Sequence, residues 1–237
     1  MRVEAQPAFV LHSRPWRETS LLLEVFSRDH GRVGLLARSV RGPRARLSRA
    51  ILEPFHLLQI DWAGQGDLPN LRAAETVGVS RRLSGDVLLS GLYVNELLVR
   101  LTARHDPHPQ LFARYASLLE ELGSPVALAW NLRRFERDLL AEIGYALQLE
   151  HESESEEPLD AEAEYLYAPE QGPLRASARS ESKTIRGAAL LALREDTMPV
   201  PADLIALRRL LRAVIGEHVG ERGLRAWRVL AGAMRKS

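Results

Sequence analysis

Apolar residues in the first eighty positions recur in short runs and not in helical stripes. Ala8-Phe9-Val10-Leu11-His12 and Leu21-Leu22-Leu23-Glu24-Val25-Phe26 are rich in residues that suit a pleated backbone. The polar stretch 13–18 between them reads as a turn. A third run, 32–40, follows the Asp29-His30-Gly31 turn. In a fourth, 55–62, Leu58, Ile60 and Trp62 recur with period two, as in a strand buried on one face. Ala63-Gly64-Gln65-Gly66-Asp67 then predicts a hairpin loop into a fifth run, 71–79. Five short strands in this length fit a small closed barrel. The OB-fold is the leading five-stranded example, although periodicity alone does not separate it from an SH3-like barrel.

From Ser84 the period becomes helical. Leu88, Leu89, Leu92, Val94, Leu97, Leu98 and Leu101 fall mostly at i, i+3, i+4 spacing. The loop His105-Asp106-Pro107-His108-Pro109 ends that helix. A second is predicted over 110–122, with Leu111, Tyr115, Leu118, Leu119 and Leu122 inward. Gly123-Ser124-Pro125 reads as stop, cap and first helical position. A third helix reaches about residue 143 with Leu128, Leu132, Phe135, Leu139 and Ile143 on one stripe, and Gly144 closes it. Residues 150–157 carry like charge without a core pattern and read as a solvated, mobile loop. A small hairpin over 164–174 and three helices, 185–194, 201–219 and 222–234, complete the chain. The expected fold is α+β: an N-terminal five-stranded barrel over 1–80, then an α-helical C-terminal domain over 81–237 with a small acidic-loop and hairpin insertion at about 148–180.

Composition narrows the chemistry. The 237 residues are 46% apolar and 27% charged, which suits a soluble globular protein. There is no cysteine, so disulfides, cysteine nucleophiles and thiolate metal sites are excluded. The longest apolar run, 87–101, is interrupted by Asn95, Glu96 and Arg100 and falls short of a membrane span of roughly 18 residues. No signal-peptide core precedes a cleavage site. A cytoplasmic protein without a membrane partner is expected.

The net charge of +1 carries no message, but its distribution does. Between residues 28 and 49 stand Arg28, Arg32, Arg38, Arg41, Arg44, Arg46 and Arg49, against the single acid Asp29. Residues 39–46 lack apolar periodicity and are expected to form a loop leaving the third strand. Guanidinium groups on a loop suit phosphates, because they stay charged, donate in a planar fork and release counterions on contact. Barrels of this kind hold single strands in basic grooves with stacking aromatics, and Trp16 and Phe55 are the candidates here. The alternative is an ordinary solvated charged loop. A second basic set, Arg208, Arg209, Arg212, Arg222, Arg225, Arg228, Arg235 and Lys236, reads better as the polar face of amphipathic helices.

Signals of catalysis are poor. Gly64-Gln65-Gly66 lacks the third glycine and the helix of a dinucleotide loop. Ser180-Glu181-Ser182-Lys183 matches a serine–lysine pattern without its partner motifs. His105, Asp106 and His108 read as an inter-helix loop and not as a metal site. No catalytic residue, metal site or cofactor is expected. A groove between the helices over 111–140, with Arg133 and Arg134 beside its apolar stripe, has the composition to clamp a carboxylate. Surface arginines on helices are, however, routine.

Ala8 to Ser20, Val25-Phe26-Ser27 with Gly31-Arg32-Val33, Leu52-Glu53-Pro54-Phe55, Ser90 to Leu98, and Leu132-Arg133-Arg134-Phe135-Glu136 with Leu139-Leu140 and Gly144-Tyr145 together resemble the RecO family of DNA recombination mediators. The resemblance implies an N-terminal OB-fold and a helical C-terminal domain. It implies binding of single- and double-stranded DNA, annealing of complementary strands, and partnership with RecR. It also implies docking of the acidic C-terminal tail of single-stranded DNA-binding protein (SSB), so that RecA loads, and a place at the nucleoid. The family's DNA-binding basic positions map onto Arg38, Arg41, Arg44 and Arg46, and with the rest of the charge cluster and the nearby indole the expected DNA-binding positions are Arg32, Arg38, Arg41, Arg44, Arg46, Arg49 and Trp16. Those expected to hold the tail are Arg133, Leu111 and Tyr115. An adaptor that docks the tail, with DNA secondary, is the alternative. Many members carry a four-cysteine zinc site after the Gly-Tyr step, where this chain has His151 and a run of glutamates. The hairpin beyond is expected to hold by packing.

Overall fold

A computed structural model describes residues 2–40, 47–78, 82–122, 127–177, 184–220 and 223–227. By packing, the chain divides into two compact units, Met1–Gly123 with Leu224–Ser237, and Ser124–Gly223.

In the first unit five strands, β1 (Arg2–Trp16), β2 (Ser20–Ser27), β3 (Gly31–Ala37), β4 (Leu57–Ala63) and β5 (Asn70–Thr76), close into a barrel in the order β1-β2-β3-β5-β4. This is the OB-fold arrangement expected of the sequence. β1 closes it by serving two partners. Its first half pairs with β4 from Arg2 to Phe9, and its second half with β2 from Ala8 to Trp16. Two irregularities, one between Val3 and Gln6 and one between Val10 and His12, bend the strand enough to make that turn. At the first, Ala5 takes a positive φ of 52° and its N–H donates to the Asp61 carboxylate at 2.7 Å. The strand therefore runs through the stretch 13–16 that local polarity reads as a turn. Cross-strand pairing down to Trp16 and Ser20 overrides local preference and leaves only residues 17–19 to turn the chain.

Alternate side chains fill the interior. Val10, Leu23, Val25, Val33, Leu35, Leu58, Ile60 and Trp62 form one apolar cluster. A 3-10 turn at Arg49–Leu52, capped by Ser48, adds Leu52 to it. On the outer surface two helices, α1 (Gly85–Leu101) and α2 (Pro109–Glu121), bury what the pleat turns outward. Phe9 and Phe26 pair across β1 and β2 and lie under Phe112 and Tyr115 of α2, with ring centroids 4.9 to 6.3 Å apart. Gly91 of α1 admits the Phe55 ring, since a Cβ there would stand 2.8 Å from it. Phe55 is thereby used in packing. Glu96 of the same helix accepts from the backbone N–H groups of Arg225 and Ala226 at 2.7 and 2.9 Å, capping the last helical turn described.

The second unit holds α3 (Leu128–Glu142), a three-stranded sheet ordered β7 (Gly172–Arg175), β6 (Glu164–Ala168) and β8 (Ile185–Arg186), then α4 (Gly187–Arg194) and α5 (Pro201–Val219). Ile185 and Arg186, which the periodicity assigns to a helix, instead pair with Tyr165 and Glu164, and the helix begins at Gly187. Gly187 is obligatory there because a Cβ would lie 1.9 Å from the Asp160 carbonyl oxygen. The stop-and-cap reading of 123–125 lies outside the described residues, as does all but 225–227 of the helix expected over 222–234. Among the described residues no helix is long and apolar enough to cross a membrane.

Candidate nucleic-acid interface

Two chain segments meet at one end of the barrel. The β1–β2 turn follows Trp16, and β3 leaves the sheet beyond Ala37, paired with Leu21. The N–H of Val40 donates to the Thr19 carbonyl at 2.9 Å, so the departing chain is tied to that turn. Arg14, Trp16, Arg17 and Arg38 are all exposed there. Trp16 keeps 40% of its surface open, which is unusual for an indole. Arg41, Arg44 and Arg46 lie outside the described residues, in the segment that starts at this point. On its return the chain passes exposed Arg49, 3.7 Å from Glu53 in an ion pair open to solvent.

Arg14 and Arg17 escape a search for charge clusters because they stand before the arginine-rich stretch. Only the antiparallel register of β1, β2 and β3 brings them beside it. Arg32 behaves differently. Its side chain is 13% exposed, pairs with Glu24 and donates to the Thr102 carbonyl at 2.9 Å. Glu24 also takes Arg104 at 2.6 Å. This group ties β2 and β3 to the connection between α1 and α2, so Arg32 is committed within the fold while Arg38 is exposed at the barrel end.

The residues expected to hold an acidic tail are likewise committed. Leu111 and Tyr115 are buried in the first unit, and burial raises the Tyr115 phenol well above its ordinary range. Tyr115 donates to Asn95, whose amide donates to the Leu11 carbonyl at 2.9 Å. In the second unit Arg133 is 5% exposed and forks onto Glu136 one turn along α3, Nε to Oε2 at 2.7 Å. Arg134 is engaged with Asp196 at 2.7 Å, which holds that carboxyl below its usual range.

The acidic stretch is not simply a solvated loop. Glu152 is buried at the centre of a hydrogen-bonded knot and accepts from Ser155 Oγ at 2.8 Å, Tyr165 Oη at 2.9 Å and Arg175 Nε at 2.8 Å. Its burial pushes the carboxyl up and these donors pull it down, with a net lowering. Like-charged neighbours hide such a residue from composition; two of its three donors, Tyr165 and Arg175, come from outside the acidic stretch. This is the region where the chain departs from the four-cysteine pattern of the family it resembles, and the donors present do not fit zinc: no thiolate is available, and the buried Glu152 carboxylate already accepts three hydrogen bonds. Packing alone, the expectation for the hairpin, is thus supplemented by a polar centre. His105, Asp106 and His108 do not converge either. His108 faces Asp106 at 3.4 Å, and no group of three metal-ligating side chains occurs among the described residues.

The Recombination protein O N-terminal family profile matches residues 1–79 and the Recombination protein O C-terminal profile matches residues 82–228. The proteins named DNA repair protein RecO from Xanthomonas oryzae pv. oryzae and Xanthomonas euvesicatoria pv. vesicatoria are 47% and 48% identical to this chain over 240 residues, covering all of both chains. The one from Xylella fastidiosa is 42% identical over 98% of this chain and 96% of its own. With a five-stranded OB barrel, a helical remainder and profile matches across nearly the whole length, the chain belongs to the Recombination protein O family of DNA repair proteins.

Proposed function

We propose that this chain is a non-catalytic recombination mediator that grips the phosphate backbone of single- and double-stranded DNA at the barrel end. Its surface there comprises Arg14, Trp16, Arg17, Arg38 and Arg49, and the same role is assigned to Arg41, Arg44 and Arg46 of the adjoining stretch of sequence. The observation that carries the reading is the tie between Val40 and Thr19, because it holds the residue that precedes the arginine-rich stretch 41–46 beside an exposed indole and two further exposed arginines. Guanidinium groups clustered on a loop recruit polyphosphate of any sequence, and a stacking face favours unpaired bases. Arg32 contributes by bracing β3 and not by touching DNA. Family membership supports the finer steps: annealing of complementary strands, action with RecR and SSB, and loading of RecA. The test is titration of labelled single strands and duplexes with Arg41, Arg44 and Arg46 all changed to alanine. Both affinities fall at least tenfold, and the dependence on salt flattens by a slope of about 2 to 3. Unchanged affinity in that variant removes DNA binding from that stretch.

A further inference from the structure

The barrel is incompletely zipped. β3 meets β5 at the single register Leu36 to Asn70, reinforced by the Leu36 N–H donating to the Pro69 carbonyl at 2.9 Å. Toward Gly31, β3 turns instead to the connection between α1 and α2. Arg32 bridges to Arg104, and the His105 N–H donates to the Arg32 carbonyl at 3.0 Å. This insertion is built in. Gly31 has a φ of 62°, and a Cβ there would stand 2.0 Å from the Asp106 carbonyl oxygen, so only glycine lets the connection lie so close. His105 holds a left-handed φ of 60°. Where the strands part, a cavity of about 280 Å³ remains, lined by His30, Trp62, Gly64, Gly66, Pro69 and His105.

We infer that this slot receives a single unstacked base of single-stranded DNA. The inference rests on the DNA-binding reading above and adds a second, base-recognising site to it. Size is the first reason: the volume falls just below that of pockets for drug-sized molecules and suits one flat ring system. The lining is the second. His30 packs edge to face at 5.2 Å on the buried Trp62, the exposed His105 supplies a further ring, and Gly66 offers bare backbone with open space where a side chain would stand. Rings provide stacking faces, while imidazole nitrogens and exposed peptide groups pair with the polar edge of a base. Place is the third. Oligonucleotides lie across the second and third strands of OB-folds and against the loop between the fourth and fifth, which here is Gly64–Pro69. β3 joins this slot at Gly31 to the basic barrel end at Arg38, about 20 Å away at strand spacing. One DNA strand following β3 would thus leave phosphates at the arginines and a base in the slot.

The decisive variant is His105→Asn, because asparagine tolerates the left-handed backbone and removes the ring. Anisotropy titrations of the full chain use three probes of equal length: oligothymidine, the same strand without bases, and a duplex. The variant loses about fivefold or more in affinity for oligothymidine and keeps its affinity for the base-free strand and the duplex. Equal affinity of variant and parent for oligothymidine overturns the slot, as does a uniform loss on all three probes. A second readout needs no slot variant: 2-aminopurine within a single strand is quenched on binding, and remains quenched in Trp16→Ala. A bound strand whose base stays bright in Trp16→Ala overturns the slot too. Failure of the parent protein to bind any of the probes overturns the DNA reading itself, whereas arginine-dependent duplex binding with an indifferent His105→Asn overturns only the slot.

Discussion

Tyr115 donates its phenolic proton to the side-chain oxygen of Asn95 at 2.5 Å, buried between α2 and α1. The amide of Asn95 continues to the Leu11 carbonyl, so one polar chain pins both helices to β1. Tyr115→Phe leaves the Asn95 oxygen short of its phenolic donor while keeping the ring against Phe9. An orphaned buried acceptor costs about 1 to 3 kcal/mol, seen as a lowered denaturation midpoint with an unchanged slope. DNA affinity stays at the parent value. Loss of affinity without loss of stability would place Tyr115 in the binding surface instead.

Arg32 lies in β3 and Arg38 just beyond its end, and the two are expected to behave oppositely. Arg32→Ala strips Glu24 of one of its two guanidinium partners and costs about 1 to 3 kcal/mol. Arg38 is exposed, and Arg38→Ala leaves stability within about 0.5 kcal/mol of the parent. Its effect appears in DNA titrations, as weaker binding to every sequence and a shallower salt dependence. Paired denaturation and binding curves check both, and an interchange of the two phenotypes would reverse the assignment.

Acid should loosen the second unit. The folded-state pKa of Glu152 lies below its ordinary value, and so does that of Asp196, which Arg134 holds down. A carboxyl lowered on folding contributes stability that is complete above the ordinary carboxylate range and vanishes as pH falls through the depressed folded value. Amide protection over residues 148–176, taken relative to the intrinsic exchange rate at each pH, is therefore steady from neutrality down to about pH 5 and falls at more acid pH. Glu152→Gln removes most of the Glu152 share of that dependence and exchanges faster at neutral pH. An identical pH profile in the variant would show that the knot around Glu152 is not what holds the hairpin.

Arg133 and Glu136 form a buried pair, so an acidic tail that recruits Arg133 has to displace Glu136. Arg133→Ala deprives the buried Glu136 carboxylate of this partner and is destabilising by about 3 kcal/mol. Tail docking is measured separately, with a peptide ending in acidic residues and an aromatic. If Arg133 holds the peptide, Glu136→Gln frees the guanidinium and strengthens binding, while Arg133→Glu abolishes it with DNA affinity intact. Equal peptide affinity in all three proteins would move the docking site elsewhere.

Element types were legible because they follow local periodicity. Alternation at Leu58, Ile60 and Trp62 marks β4 whatever surrounds it, and the helical stripe from Leu88 to Leu98 marks α1. That α1 packs with the barrel is a different kind of fact. It depends on Asn95 reaching Leu11 across 84 residues, and no window of sequence contains that contact.

By itself the sequence determined a five-stranded barrel followed by helices, the concentration of arginines between residues 28 and 49, and a chemistry without thiolates. Each is a property of neighbouring residues or of composition. Tertiary structure alone decided which charges are exposed and which are committed. Register sets Arg32 on Glu24 and leaves Arg14 and Arg38 open, folding draws Glu152 from an acidic run into a buried knot, and His105 lies at the unzipped seam of β3. The physical reason is that the energy of a charge or a ring depends on what stands within a few ångströms of it, and here those neighbours come from as far as eighty residues away.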